Sequence, residues 1–236
     1  MQKFRLLYED ECLVAIDKPA GFHSHPPEDK SVRLAHRWNA LGLLEKQLGQ
    51  KLYPAHRLDR GTSGVLVFSK KQEFNRLLHE QFQARSTGKT YFCVVRGHLK
   101  GEADINEPLK NEAGTELESR TLVREMATFT LPIPGPRGPE RIFTLTQATP
   151  VTGRYHQIRR HLARLGLPIV GDNRHGDSRV NREFRALAGV DRMLLRCMEL
   201  RIQHPVTGAP LRLRALWHKD WHEIFDRAGF CPWLKL

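Results

Sequence analysis

One carboxylate in this chain stands between two guanidinium groups. It lies in the string His56-Arg57-Leu58-Asp59-Arg60-Gly61-Thr62-Ser63-Gly64, where Arg57 and Arg60 flank Asp59. Neighbouring cations favour an ionised carboxylate, and an ionised carboxylate held at a strand edge can act as a nucleophile. Thr62 and Ser63 can hydrogen-bond the local backbone, and Gly61 and Gly64 permit tight turns. The ordinary alternative is a surface Arg–Asp–Arg cluster of little energetic weight. Local chemistry alone favours that alternative.

Other reactive residue types form weaker patterns. His156 and His161 are five residues apart, whereas two metal ligands on one helix face come at i and i+4. His23 and His25 flank one serine, an arrangement commoner in polar loops than in metal sites. Ser63 has His56 nearby but lacks the glycine-framed elbow of a hydrolase nucleophile. No GxGxxG follows a strand and no GxxxxGK[ST] is present, so no nucleotide cofactor is expected, and the histidine spacings lead to the same expectation for a metal.

Those residues must be carried by particular elements. FRLLYE and CLVAID read as two short strands around the acids Glu9, Asp10 and Glu11. Residues 32–41 have helical spacing at Leu34, Ala35, Trp38 and Leu41. GVLVFS, directly after Asp59 and its loop, is a continuous apolar run that predicts a buried strand. Phe74, Leu77, Leu78 and Phe82 share one helix face, and that helix should stop before Gly88. KTYFCVVRG is β-branched and aromatic, hence a strand. Residues 101–119 read as loop. TLVREMATFTL and IFTLTQATPV read as strands joined by the turn PIPGPRGP. Tyr155 to Leu165 has a helical face at Ile158, Leu162 and Leu165, with Gly166 to end it. On that helix Arg159 sits about 100° from Ile158, at the border of the buried face. A basic, polar loop is expected from Val170 to Arg182. Asp220 and Glu223 resemble a capping box for a final helix that buries Trp221, Ile224, Phe225 and Ala228. Several short strands interrupted by single helices predict an α+β fold: a mixed, largely antiparallel sheet flanked by helices and loops.

Composition narrows the partner. Thirty-eight Lys and Arg against 26 Asp and Glu give a formal net charge of +12. Such a surplus favours a polyanion through faster encounter and counterion release. Residues 154–201 hold eleven arginines, no lysine and five acids, and arginine suits bidentate phosphate contacts and base stacking. Charge alone leaves a generic basic surface open. No apolar run approaches the roughly 20 residues that span a bilayer, and the acid-broken N-terminal stretch is no signal peptide. The four cysteines form no CxxC pair and are expected to be reduced. A cytoplasmic, monomeric protein without membrane association is the expectation, with residues 1–236 forming one domain.

The string around Asp59 decides between the alternatives. HRLDRGTSG closely resembles the HRLDxxTSG motif of the pseudouridine synthases of the RluA type. Asp17-Lys18-Pro19-Ala20-Gly21 resembles their first motif, usually written with Asn before the Lys. Lys89-Thr90-Tyr91, leading into Val94-Val95-Arg96-Gly97, resembles their K-x-Y strand. Thr152-Gly153-Arg154-Tyr155-His156-Gln157-Ile158-Arg159-Arg160-His161-Leu162 resembles their TGRxHQIRxHL motif, and Leu167-Pro168-Ile169-Val170-Gly171-Asp172 the L-P-I-x-G-D that follows. The matches occur in the family's order.

The resemblance implies an RNA-modifying isomerase with the family's catalytic fold, no cofactor, and no separate N-terminal RNA-binding domain. Asp59 would be the essential carboxylate. Attack on C6 of uracil, attack on C1′ of the ribose, and an elimination from the sugar all remain open. Arg159 would pair with Asp59, Tyr91 would stack on the target uracil, and Arg57 would fill the space it vacates. Extruding a base costs a few kcal/mol, which such contacts must offset. His56, Arg60, Thr62, Arg154, His156 and Leu195 would contact RNA. Gly171-Asp172-Asn173-Arg174-His175-Gly176-Asp177-Ser178-Arg179-Val180-Asn181-Arg182 resembles the GDxxHGDxxxNR string of the subgroup that modifies uridine 65 of certain tRNAs, as does the tail Asp226 to Phe230. This favours tRNA over ribosomal RNA as partner. The chain departs from the pattern at Asp17, at Gly61 in place of a frequent proline, and at Arg196-Cys197 in place of His-Ala.

Overall fold

The computed structural model describes residues 3–26, 38–135, 138–189, 191–217 and 219–227. In chain order the elements are β1 (Arg5–Glu9), β2 (Leu13–Lys18), α1 (Ala40–Leu48), β3 (Tyr53–Pro54), β4 (Ser63–Ser69), α2 (Gln72–Gln83), β5 (Gly88–Arg96), β6 (Glu102–Asn106), β7 (Leu109–Lys110), β8 (Glu116–Leu117), β9 (Arg120–Leu131), β10 (Arg141–Pro150), α3 (Gln157–Arg164), α4 (Ser178–Ala188), β11 (Leu195–Gln203), β12 (Pro210–Arg214) and α5 (Lys219–Arg227). Two compact units divide them. Met1–Lys89 and Arg196–Ala215 make the first; Thr90–Leu195 and Leu216–Leu236 make the second.

In the first unit β4 is the centre. All seven of its residues are buried, which is what a continuous apolar run achieves when both faces are covered. β2 lies antiparallel to it, from Leu13 opposite Ser69 to Lys18 opposite Gly64. β1 continues the sheet outward, β3 adds a short antiparallel pair to β4, and β12 pairs antiparallel with β11. β11 runs parallel to β4, with Arg196 opposite Ser63 and Cys197 opposite Gly64. The close approach explains Gly64. Its φ is +109°, and an added Cβ would overlap the carbonyl of Cys197. Glycine alone meets both demands without strain.

In the second unit the sheet order is β5-β10-β9-β6, antiparallel throughout. β9 alternates buried and exposed residues at both ends, the period of a strand with one covered face. Its core gathers Val94, Phe129, Phe143 and Leu145 from the strands, Val180, Phe184 and Ala188 from α4, and Trp221, Ile224 and Phe225 from α5. Phe143 lies 5.3 Å from Phe184 and 5.7 Å from Phe129, centroid to centroid.

The mixed, largely antiparallel sheet is therefore present, and its strands at FRLLYE, CLVAID, GVLVFS, KTYFCVVRG, TLVREMATFTL and IFTLTQATPV stand where the periodicities put them. Three segments differ. Residues 101–119 contain β6 and the β7–β8 hairpin. β6 buries only Ile105, so its alternation of Ala103 and Ile105 with Glu102, Asp104 and Asn106 is too short and too polar to stand out from a loop. The basic stretch after Val170 turns into α4 at Ser178. Asp177 caps it by accepting from the backbone N–H groups of Arg179 and Val180. Val180, Phe184 and Ala188 supply the buried face four residues apart. α1 begins at Ala40, at the end of the residues with helical spacing, and closes on Gly49 in the left-handed conformation. The segment 32–37 of that expected helix, and residues 228–230 of the tail, lie outside the described residues. α5 starts at Lys219, one residue before the expected Asp220 cap. No helix among the described residues is long and apolar enough to cross a membrane.

Gly64→Ala tests the strand crossing. The backbone of Cys197 cannot yield cheaply, so the substitution is expected to cost about 3 kcal/mol or more. Urea unfolding followed by tryptophan fluorescence measures it.

Candidate active site

The string around Asp59 forms a loop between β3 and β4 that is tied down along its length. Ser24 Oγ donates to the carbonyl of Leu58 and accepts from the Leu58 N–H, both at 2.9 Å. The backbone N–H of Gly21 donates to the carbonyl of Arg60 at 2.8 Å, and Arg60 Nε returns a hydrogen bond to the Gly21 carbonyl at 3.2 Å. The N–H of Thr62 closes a turn on the carbonyl of Asp59 at 3.0 Å. Residues 21–24 therefore act as a strap across 58–60. Asp59 itself is half-buried, between exposed Arg57 and Arg60 and fully covered Thr62.

His56 anchors the start of the loop. Its Nε2 accepts from the N–H of Val67 at 3.2 Å, and its ring packs on Phe82 at 5.1 Å. Burial, helped by the charge of Lys89, pushes the imidazole down to about 3. At neutral pH it is uncharged, so it places Arg57 without adding a charge for phosphate.

Beneath this loop lies a residue whose role the sequence did not point to. Lys18, the last residue of β2, is wholly buried. Its Nζ donates to the carbonyls of Phe22 at 2.8 Å and Pro19 at 3.0 Å. Burial pulls its ammonium down to about 7, while Asp59 and then Asp17 oppose that by stabilising its charge. His23 stands among the same cations: after burial, Arg60, Lys18, His25 and Arg57 hold its imidazole below the usual range. A metal ion there would face a positive field, whereas a phosphate or a carboxylate would be welcome.

The second unit carries the remaining expected residues. Tyr91 is buried on β5, opposite Ala148 of β10. Leu195 is buried at the start of β11. Arg154 is half-buried and its Nε donates to the carbonyl of Glu118 at 3.1 Å. α3 is fixed at its first turn by the buried amide of Gln157. That side chain accepts from Thr152 Oγ1 at 2.6 Å and from the Arg154 N–H at 2.9 Å. It donates to the Arg120 carbonyl at 3.0 Å and Thr121 Oγ1 at 2.9 Å. His156 precedes the helix with φ of +51°, a conformation that costs about 1–2 kcal/mol in a non-glycine residue. Stacking on Tyr155 at 3.8 Å and a 3.0 Å contact between its Nδ1 and His175 Nε2 hold it there. His161 is no partner for His156 in a metal site, because its two nitrogens meet Thr121 Oγ1 and the Glu107 carbonyl.

Arg159 has a partner in its own unit. Its Nε and Nη2 donate to the two carboxylate oxygens of Asp172 at 2.7 and 2.8 Å. Asp172 Oδ1 also accepts from the backbone N–H groups of Arg174 and His175, at 2.9 and 3.0 Å. Burial alone would raise the Asp172 carboxyl. The Arg159 hydrogen bond, the His175 N–H and the Arg159 charge outweigh it and hold the group below its ordinary value. The rest of the loop string serves the same knot. Asn181 accepts from the Gly171 N–H and donates to the Asp172 carbonyl, and Asp177 receives Arg96 Nη1 at 2.7 Å. The signal for Asp172 was in the sequence, as the acid closing L-P-I-x-G-D.

A different trio has metal-ligand chemistry: Asp10, Cys12 and His204 bring one ligand atom each within 4.8 Å of one another. The hydrogen bonds assign it otherwise. His204 Nδ1 accepts from the N–H groups of Val206 and Thr207, so Nε2 carries the proton and donates to Asp10 Oδ2 at 2.9 Å. Asp10 also accepts from Tyr8 Oη and from the N–H groups of Cys12 and Leu13. The histidine has no lone pair left for a metal, and the network instead ties the β1–β2 turn to the end of β11.

Two outcomes follow from these geometries. Ser24→Ala removes both hydrogen bonds to Leu58 and is expected to cost about 1–3 kcal/mol in urea unfolding. Asp172→Asn takes a bidentate carboxylate away from buried Arg159 and should cost about 3 kcal/mol in urea unfolding at neutral pH. The folded value of Asp172 lies below its ordinary one. Its contribution is present above the ordinary aspartate range and disappears as pH falls through the folded value. The variant's stability should thus vary less on acidification than that of the parent chain.

The family model described as RNA pseudouridylate synthase matches residues 12–164. Bacterial proteins described as tRNA pseudouridine synthase C are similar along nearly the whole chain. That of Vibrio vulnificus (strain CMCP6) is 37% identical over 234 residues, 94% of each chain. That of Vibrio cholerae is 37% identical over 237 residues, 95% of this chain and 96% of the relative. That of Pectobacterium carotovorum is 34% identical over 237 residues, and there the match spans 62% of the relative's length. Among solved structures, human RNA Pseudouridylate Synthase Domain Containing 1 superposes with a TM-score of 0.69 at 20% identity, over 90% of this chain and 83% of that one. Human RNA Pseudouridylate Synthase Domain Containing 4 gives 0.68 at 20% identity, over 95% and 92%. The human structures speak to the fold, and the family model spans both the strapped Asp59 loop and α3 with Arg159. On that footing the chain belongs to the RNA pseudouridylate synthase family, enzymes that isomerise uridine to pseudouridine.

Proposed function

We propose that this chain is a cytoplasmic, monomeric pseudouridine synthase acting on tRNA, at a site like that of the bacterial relatives, with Asp59 as the catalytic carboxylate. The observation that carries the reading is the 34–37% identity to proteins described as tRNA pseudouridine synthase C, over about 95% of this chain. The charge supports it: a net +12 suits a polyanion. So does the second unit's surface, where Arg174 lies over the exposed ring of Tyr155, 5.6 Å from its centroid, and donates to its hydroxyl at 3.0 Å.

The reaction needs a carboxylate that stays in place while a uracil leaves its ribose, turns and rejoins through carbon. The strap from residues 21–24 supplies the fixed backbone. Lys18, buried beneath it and pulled down to about 7, is held toward its charged form by Asp59. Arg57 and Arg60, exposed on either side, are placed to meet the phosphates around an extruded uridine. Tyr91 would stack on the uracil, Leu195 would line the base pocket, and Arg159 would pair with the reacting Asp59. Thr62, His56, Arg154 and His156 would complete the RNA contact, His56 by setting Arg57. Both addition of Asp59 to the base or the sugar and an elimination from the sugar use this carboxylate.

Unmodified tRNA transcripts incubated with the protein, then mapped by carbodiimide treatment and primer extension, test the reading. The parent chain should form pseudouridine at one tRNA position. Asp59→Asn should lower the rate at least about 1000-fold, roughly 4 kcal/mol of transition-state stabilisation. Pseudouridine in ribosomal RNA transcripts alone would move the substrate from tRNA to ribosomal RNA. Full activity of Asp59→Asn would remove the carboxylate's role.

A further inference from the structure

Two departures from the family's motifs meet in space. They are Asp17 and Arg196, with 179 residues of sequence between them. In the first unit Arg196 Nη2 donates to Asp17 Oδ2 at 2.6 Å. The register explains the meeting. Asp17 of β2 is opposite Val65 of β4, and Arg196 of β11 is opposite Ser63 of β4. Val65 and Ser63 are two residues apart and share a face of the sheet. Asp17 and Arg196 therefore reach toward each other across one face of the strand that leaves the Asp59 loop. The next residue on each flanking strand, Lys18 and Cys197, is opposite Gly64 and belongs to the other face.

Both partners are out of water. The side chain of Arg196 is 1% exposed and that of Asp17 is 11% exposed. Arg196 is the largest fully buried side chain of the described residues. A guanidinium this deep is tolerated only against a carboxylate, and a carboxylate this deep only against a cation. The pair also bears on Asp59. Asp59 and Asp17 both favour the charged form of the buried Lys18. The buried basic side chains Lys18 and Arg196 stand against two carboxylates, Asp17 and Asp59, with Lys18 poised near neutral pH between its charged and uncharged forms. With Arg196 neutral, Asp17 would draw on Lys18 and compete with Asp59 for its charge. With Asp17 neutral, buried Arg196 would lose the carboxylate it donates to at 2.6 Å, at the root of the Asp59 strand.

We infer that Asp17 and Arg196 are a matched pair of positioning residues for the isomerisation: their charges cancel beside β4 and leave Lys18 to hold Asp59, so that either residue can be changed only together with the other. The inference rests on Asp59 being the reacting carboxylate. It makes position 196 an internal support of the site, with no contact to RNA of its own.

A four-protein cycle tests this: the parent chain, Asp17→Asn, Arg196→His and the double variant, with Arg196→Lys as the charge-conserving control. Turnover and KM are measured on the RNA that the parent chain modifies in total cellular RNA, alongside urea unfolding of each protein. Each single change should lower kcat by about tenfold or more with KM within about threefold, because the loss is in positioning and not in RNA binding. The double variant should recover to within about threefold of the parent, the signature of coupled sites. Arg196→Lys should retain more turnover than Arg196→His. Single effects that simply multiply in the double variant, or single variants that unfold more easily yet keep the parent kcat, would overturn the inference. A single variant that does not fold while the double variant folds and turns over supports the coupling. Coupling seen in unfolding, with a parent chain that makes no pseudouridine in any RNA, would sink the functional reading and with it the positioning role.

Discussion

One physical constraint organises the loop around Asp59: its backbone is held rigidly while the carboxylate stays half-open to solvent. A loop cannot do this by packing, because Asp59 is only half-buried. The loop is fixed through its backbone instead. Ser24 grips both polar groups of Leu58, and Gly21 and Arg60 exchange hydrogen bonds. Each grip comes from the segment just after β2, and β2 is in turn locked to β4 along its whole length. The loop and its strap thus hang from opposite sides of the same ladder, and the position of Asp59 follows from strand register.

The same segment uses buried charge. Lys18 turns away from solvent and donates to the carbonyls of Pro19 and Phe22, so one side chain both shapes the turn and sets a basic group, held toward its charged form by Asp59, beneath the loop. The second unit uses the same principle at Arg159. There the guanidinium is oriented by a bidentate carboxylate, and that carboxylate is oriented by two backbone N–H groups. Orientation passes from backbone to acid to arginine. Buried ionic pairs add little to stability compared with an apolar alternative, but a broken one is costly. Their worth here is geometric: each fixes a charged group whose direction matters.

Much of this was legible in the residues. The strands at CLVAID and GVLVFS announced themselves as apolar runs, and α3 by Ile158 and Leu162. Asp59, Tyr91 and Arg159 were marked by ordered motifs and not by local chemistry, which favoured an ordinary surface cluster. What was not legible shares a physical cause. β6 is short and buries only Ile105, and the apolar face of α4 at Val180, Phe184 and Ala188 lies within a basic, polar stretch that reads as loop. Lys18 and Arg196 were hidden because the sequence shows a charge but not its burial. A lysine ending VAIDK and an arginine inside LLRCM sit in apolar company, and that company was the available signal for a buried partner. The pairing of Asp17 with Arg196 needs strand register, which no local pattern supplies.

The most direct measurement for the central claim is a map of pseudouridine across all RNA from cells that lack this gene, compared with the same cells carrying it again as the parent chain or as Asp59→Asn. The account predicts that one tRNA uridine loses its modification on deletion, regains it with the parent chain, and stays unmodified with Asp59→Asn. A map in which no pseudouridine is lost on deletion, or in which Asp59→Asn restores it in full, would contradict the account.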